Sequence, residues 1–277
     1  MLTNSRKLVY KTISPKVLAA RIKLAMRHPA SSMSAEEIIG EALKHKVYVA
    51  WSGGRCSTVA LHLTLQQEPD IPVVFNNTGV EYLETVKYVR KYAKKWGLNF
   101  HELRPEANFW ELVKEYGFPQ LRGSGSKGGA RKPACCTYLK EAPASKFKKE
   151  HGMDGYITGL RVEESRARAL AIFQKGPFYK AKRDRVWRFH PVALWTLKEL
   201  MDYADLNKIP LNPLYERGLP RVGCLPCTGF ITWRDQLSKT KPRFYRWLNR
   251  EYQKMQGEPT LWEFYEPEGC RQEAELE

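Results

Sequence analysis

Lys46-Val-Tyr-Val-Ala-Trp51, then Ser52-Gly-Gly-Arg-Cys-Ser-Thr58, then Val59-Ala-Leu-His-Leu-Thr-Leu65 is the stretch on which the fold turns. The first segment is short, mostly apolar and β-branched, and reads as a buried strand. The last carries apolar residues at helical spacing. Two glycines between them let the chain reverse tightly and let a ligand approach the backbone. Strand, glycine turn and helix together open a βαβ unit.

Working outward, the same alternation repeats. Residues 71–75 predict a second strand, 83–96 a helix ending at Gly97, 98–103 a third strand, and 108–116 a helix ending at Gly117. Further on, 140–151 reads as a helix, 156–160 and 187–192 as strands, and 196–208 as a helix. Strands alternating with helices of this length imply an α/β fold, a parallel twisted sheet with helices on both faces. Ligands of such sheets sit at the carboxyl ends of the strands. Before the first strand, Ser34-Ala-Glu-Glu opens a helix with a capping-box acid, so residues 1–45 form a helical appendage. Residues 119–134 are glycine-rich and basic, a loop without core residues. Residues 210–227 are rich in Pro and Gly and are expected to be ordered mainly by what they bind. A last helix, with Pro242 near its start, adds a C-terminal extension.

The 277 residues carry 46 Lys and Arg against 30 Asp and Glu, a net charge of +16. That excess points to a polyanionic partner. It is concentrated: residues 119–149 hold eight basic side chains and one acid, and residues 234–254 hold seven and two. In the second stretch they are interleaved with Trp233, Phe244, Tyr245, Trp247 and Tyr252. Base stacking beside phosphate contacts is one reading of that mixture, and an aromatic helix face packed on the core is the other. Arg131, Lys132, Arg243 and Arg246 are the candidate nucleic-acid contacts. Six cysteines are too few for a secreted framework, the first ten residues lack an apolar signal-like run, and no stretch is long and apolar enough for a membrane span. A cytoplasmic, reduced setting and no membrane partner are therefore expected.

At the glycine turn, the start of a helix offers N–H groups and a partial positive charge to an anion. Ser52, Gly53, Gly54, Arg55, Ser57 and Thr58 are the candidate phosphate residues. Ser52-Gly-Gly-Arg-Cys-Ser57 resembles the Ser-Gly-Gly-Lys-Asp-Ser PP-loop of the ATP pyrophosphatase superfamily, with Arg55 keeping the charge and Cys56 replacing the aspartate. The segment 75–84 is similar to the family's Asp-Thr-Gly segment, with Asn77 where aspartate is usual and with Thr78 and Gly79 in place. Residues 157–166 resemble its Thr-Gly-x-Arg-x-x-x-Ser motif. The resemblance is to the PAPS reductase branch and runs from about residue 35 to 230. It implies an adenine-nucleotide α-hydrolase-like domain over residues 46–220, binding ATP, APS or PAPS, with Gly159 among the nucleotide contacts and Arg161 and Arg168 near the phosphates or sulfate. It also implies Mg for the ATP case, although the missing aspartate removes a carboxylate from that chemistry.

Cys135-Cys136 and Cys224-Leu-Pro-Cys227 are two thiol pairs 88 residues apart. Thiolates ligate iron-sulfur clusters, zinc is a second possibility, and a set of plain thiols a third. Within this fold, the pattern resembles the 4Fe-4S arrangement of assimilatory APS reductases and assigns residues 221–277 a cluster-binding role beside the basic C-terminal helix. Lys140 and Arg221 are neighbours that tune it. The C-terminal Glu-Cys-Gly-Leu-His of the reductases is missing. Cys270 is then a bystander or a catalytic thiol, and Cys56 a small-residue replacement or a sulfur carrier.

The resemblance supports three functions. The first is ATP-dependent sulfur incorporation into nucleic acid, DNA or tRNA, with a sulfur donor such as a cysteine desulfurase. The second is APS or PAPS reduction to sulfite with thioredoxin as partner. The third is a non-catalytic module that binds nucleotide or nucleic acid.

Overall fold

The computed structural model describes residues 14–119, 134–230 and 232–256. The chain divides into two compact units, one made of residues 1–109 and 136–225, the other of 110–135 and 226–277. This division differs from the expected appendage, nucleotide domain and C-terminal segment.

The first unit begins with α1 (Pro15–Ala25) and α2 (Ala35–Leu43), the latter opened by a full capping box between Ser34 and Glu37. Then follow β1 (Val47–Ala50), α3 (Arg55–Leu65), β2 (Val73–Asn76), α4 (Leu83–Lys95) and β3 (Phe100–Leu103). α5 (Phe109–Tyr116) crosses into the second unit. A single turn, α6 (Ala134–Cys136), runs through a π-helical turn at Thr137–Glu141 into α7 (Ala142–Glu150). The unit closes with β4 (Gly155–Ile157), α8 (Arg166–Lys175), β5 (Phe178–Lys180), β6 (Trp187–Phe189) and α9 (Leu197–Leu206).

The six strands form one sheet in the order β3-β2-β1-β4-β6-β5. Five are parallel, and β5 lies antiparallel on the edge, paired with β6. β1 shows why the strands bury both faces. Val47, Val49 and Trp51 point into a cluster with Ile38 and Ala42 of α2 and Val86 and Val89 of α4, whereas Tyr48 points to Phe147 of α7 on the other side. Period-two alternation with apolar residues at every position is the signature of a sheet covered on both faces. α2 therefore belongs to the core and is no mere appendage.

The chain runs from β1 outward to β2 and β3, then returns to β4 on the other side of β1. The order reverses between β1 and β4, which creates a crevice at their carboxyl ends. The β5 edge and α8 are absent from the sequence expectation. Ser165 caps α8 by accepting from the Arg168 N–H.

The second unit contains α10 (Trp233–Thr240) and α11 (Pro242–Gln256). Trp233 packs against Tyr252, Tyr252 against Phe118, and Trp110 against Trp247. Leu248 and Leu237 are fully buried.

Candidate nucleotide and thiol site

The β1–α3 turn is tied mostly to itself. Trp51, buried at the end of β1, donates its indole N–H to Thr58 Oγ1 at 3.0 Å, and Thr58 Oγ1 donates to Gly54 O. Thr58 is thus fully buried and serves the turn's internal bonding. Ser57 Oγ accepts from the Ser52 N–H at 3.2 Å, lies 3.0 Å from Ser52 Oγ and donates to Gly54 O. Gly53 has φ +72°, and a Cβ there would fall 2.8 Å from Val89 Cγ2. Gly54 caps α3 without a side-chain hydrogen bond, and the Tyr215 hydroxyl accepts the Arg55 N–H at 3.1 Å. The positive end of α3 thereby stands at the carboxyl end of the central strand, where the strand order reverses.

Gly159 brings the β4 turn against this one. A Cβ at that position would lie 2.3 Å from the Cys56 carbonyl carbon and 2.4 Å from Ser57 N. Nothing larger than glycine lets the two turns touch. Beside it, Thr158 Oγ1 and His190 Nδ1 are 2.7 Å apart. Burial lowers the His190 pKa to about 3, and nearby Arg188 and Arg168 push in the same direction.

The three candidate arginines are engaged differently. Arg55 is buried, its Nη2 donating to Pro220 O at 2.9 Å and its guanidinium 4.7 Å from the Tyr215 ring centroid. Arg161 is 2% exposed; its Nε donates to Cys56 Sγ at 3.3 Å and its Nη1 to Glu163 Oε2 at 2.5 Å and to Trp195 O at 3.1 Å. Glu163 Oε2 also accepts the Leu197 N–H. Arg168 pairs with Glu164 one turn away. Arg161 therefore stands against the first turn of α3 through the Cys56 sulfur.

Residues 210–220 are ordered by their own packing. Leu214 and Leu219 are buried, and Asn212 Nδ2 donates to Gly53 O and Thr85 Oγ1. Tyr215, Asn212, Glu163 and His190 all shape the site and were missed in the sequence; the partners of Tyr215, Asn212 and His190 lie far away along the chain, and Glu163 joins its neighbour Arg161 to the distant Leu197 N–H.

The segment after β2 forms the second part. Asn77 Nδ2 donates to Glu102 Oε1 at 2.8 Å and its Oδ1 accepts the Gly79 N–H, with Gly79 at φ +79°. Glu102 is held down to about 2, chiefly by hydrogen bonds from Arg90. Thr78 Oγ1 donates to Glu81 Oε1 at 3.0 Å and lies 3.4 Å from Cys224 Sγ, and Cys224 Sγ donates to Glu81 Oε1 at 3.4 Å. The Leu225 N–H donates to Val80 O. Lys140 Nζ is 3.6 Å from Glu81 Oε1, and its pKa is raised by the Cys224 sulfur first, then Glu81 and Cys136. One ammonium thus senses a sulfur from each cysteine pair. The boundary between units passes through both pairs, after Cys135 and after Leu225. Among the described residues, no three His, Cys, Asp or Glu side chains are gathered closely enough to hold a metal ion. Cys270, Arg131 and Lys132 lie outside the described residues. No helix among those described is long and apolar enough to cross a membrane.

The aromatic residues of the C-terminal helices divide between the two readings of the sequence. Trp233 is buried, as a core face requires, but Trp247 is 39% exposed beside exposed Arg243 and Arg246.

Among known proteins, the family model of the phosphoadenosine phosphosulfate reductase domain matches residues 46–230. A phosphoadenosine 5'-phosphosulfate reductase of Alkalilimnicola ehrlichii is 28% identical over 82% of this chain and 88% of its own. An uncharacterized protein of Methanocaldococcus jannaschii is 35% identical over 76% of this chain, which spans only 43% of that relative's length. In fold, the crystal structure of a phosphoadenylyl-sulfate reductase from Candida auris aligns with a TM-score of 0.54 at 19% identity, covering 77% of this chain and 96% of that one.

Proposed function

From the premise that this chain belongs to the phosphoadenosine phosphosulfate reductase family, we propose that it is a sulfur-transfer enzyme which binds an adenine nucleotide at the Ser52–Ser57 turn and has a nucleic acid as acceptor. The observation that carries this reading is the turn itself: an α3 N-terminus whose cap residue, Gly54, has no side chain and whose Arg55 N–H meets the Tyr215 hydroxyl, flanked by Gly53 and Gly159, at the reversal of strand order. In this reading the nucleotide phosphates lie on Ser52, Gly53, Gly54 and Ser57, with Thr78, Gly79 and Arg161 completing the site. ATP transfers its adenylyl group to an acceptor oxygen and releases pyrophosphate. The terminal sulfur of a persulfide from a donor such as a cysteine desulfurase then displaces AMP, and a thiol reductant cleaves the resulting S–S bond to leave the thiolated acceptor. The net charge of +16 supports a nucleic-acid acceptor, DNA or tRNA, contacted by Arg131, Lys132, Arg243 and Arg246.

Cys135, Cys136, Cys224 and Cys227 are the proposed ligands of a 4Fe-4S cluster. Their donor chemistry fits such a group, because all four are thiols and Lys140 offers a positive charge to a sulfur of each pair. When bound, the cluster would supply a redox-active, thiolate-ligated centre. Iron and acid-labile sulfide in protein purified without oxygen, lost in Cys136→Ser and Cys227→Ser, test this assignment. A colourless protein with stoichiometric zinc would refute it.

A second reading, APS or PAPS reduction to sulfite with thioredoxin as partner, is supported by the side chains at positions 56 and 77. Cys56 and Asn77 leave the turn without the carboxylates that hold Mg for ATP cleavage, and the Glu102 carboxylate is engaged by Arg90. A cysteine nucleophile is then required, with Cys56 or Cys270 as the candidates. One anaerobic assay with ATP, APS and PAPS in parallel separates the readings. AMP and pyrophosphate from ATP, dependent on nucleic acid and a sulfur donor, support the first; sulfite from APS or PAPS supports the second. Nucleotide binding without any product leaves a non-catalytic module.

A further inference from the structure

We propose that the exposed face of α11 is a docking surface for a single-stranded segment of nucleic acid, with Trp247 as the platform on which a base stacks. This deepens the nucleic-acid reading above and rests on it for the identity of the acceptor.

Arg243, Arg246, Trp247, Arg250 and Lys254 are all exposed. At 3.6 residues per turn they fall within an arc of about 100° on one side of the helix, over a length of ~16 Å. The opposite side is committed to the unit's own core, where Leu248 and Asn249 are buried and Tyr252 packs on Trp233 and Phe118. Among the described residues, no carboxylate pairs with Arg243, Arg246 or Arg250, and only Lys254 has an acidic partner, Glu251 at 3.3 Å. Three guanidinium groups in such a row suit a row of phosphates.

Trp247 supplies what a purely ionic face lacks. Its ring is 5.1 Å from Trp110, edge-on at 77°, and 5.6 Å from Phe244. The indole is therefore braced by two rings yet more than a third exposed. An aromatic ring fixed among cations binds unpaired bases, because every base has a face to stack and a duplex hides those faces. A membrane surface would also attract the cations, but it needs an apolar helix face to bury, and α11 has already buried its own.

The test uses full-length protein, a fluorescein-labelled oligouridine strand, the matching duplex and vesicles rich in phosphatidylserine. Anisotropy is followed from ~50 mM salt upward. The single strand is expected to bind more tightly than the duplex. Arg243→Gln/Arg246→Gln/Arg250→Gln should reduce the salt slope by about two, at about 0.7 per phosphate, and weaken binding at least ~10-fold. Trp247→Leu should weaken it at least ~5-fold with the slope unchanged. Circular dichroism of both variants checks that they are folded. Wild-type binding that neither variant disturbs would sink the α11 surface while leaving the nucleic-acid acceptor standing. Failure of the wild type to bind any strand would remove both. Tighter binding to duplex, or capture by the vesicles in competition with the strand, would also overturn the proposal.

Discussion

The β1–α3 turn and the outer face of α11 both present positive charge, but they are made in opposite ways. In the turn the charge comes from backbone N–H groups at a helix end, and the hydroxyls and glycines around it are locked to one another. On α11 it comes from long side chains standing in solvent. A partly buried backbone site leaves little room for added atoms and is screened less by salt, whereas an exposed side-chain site tolerates substitution and is more sensitive to salt. The same net charge of +16 therefore covers only one of two kinds of positive surface, since the backbone contribution does not enter it.

The strongest way to test the rigid half is Gly159→Val. Its Cβ would collide with the backbone of Cys56 and Ser57, and neither turn can retreat without breaking the β1–β4 pairing. A loss of about 4 kcal/mol or more in urea unfolding is expected. A variant with wild-type stability would mean that the two turns do not meet. Gly54→Val probes the same turn from its open side, because a Cβ there meets only Ser52 Oγ and Tyr215 Oη, both at 3.4 Å. Nucleotide affinity should fall by ~100-fold, about 2.7 kcal/mol, in calorimetric titration, while stability changes by less than ~1 kcal/mol. Equal losses in both measurements would make the turn purely structural.

His190 sharpens the contrast through pH. Its folded pKa of about 3 lies below the ordinary value of 6.5, so the unfolded chain binds the extra proton between those limits. Stability is then complete above about pH 6.5 and falls as the pH drops toward 3, by up to ~1.4 kcal/mol per unit. Glu102 acts lower, between 4.5 and about 2, where its own contribution is lost on acidification. Burial also lowers the pKa of His62 and His101, so the window between about pH 7 and pH 5 is shared. The difference in slope of the urea midpoints between wild type and His190→Asn isolates His190, and the variant should show the flatter slope. A slope unchanged in the variant would assign it elsewhere. The smallest effect belongs to α11: Arg243→Gln should alter the unfolding free energy by less than ~0.5 kcal/mol, as for an exposed side chain. A larger loss would show that this arginine holds the helix in place.

Much of the architecture was legible because it is local. A β-branched run, a pair of glycines and a helical pattern lie next to one another in residues 46–65, and the same grammar repeats to residue 117. The β5 edge was hidden because three residues carry too little pattern to distinguish a strand. α8 was hidden because Arg166 and Arg168 dilute its apolar stripe. At the site, the glycines and Thr78 could be read from motifs. The bond between Arg161 and Cys56 joins residues 105 apart, and the Tyr215 cap on Arg55 spans 160, so neither leaves a local trace. Trp247 and Trp233 look alike in sequence, and only the packing of α11 on α10 exposes one and buries the other.

Arg55 stands at the mouth of the turn already occupied, between the Pro220 carbonyl and the Tyr215 ring. A phosphate that takes the Nη2 donor displaces the Pro220 carbonyl, and one that draws the guanidinium away also gives up the Tyr215 ring. Under the nucleotide reading proposed above, a binding isotherm at this site records a difference, the new ion contact minus whichever of these contacts is surrendered. In that reading the segment from Tyr215 to Pro220 competes with the phosphate for this side chain.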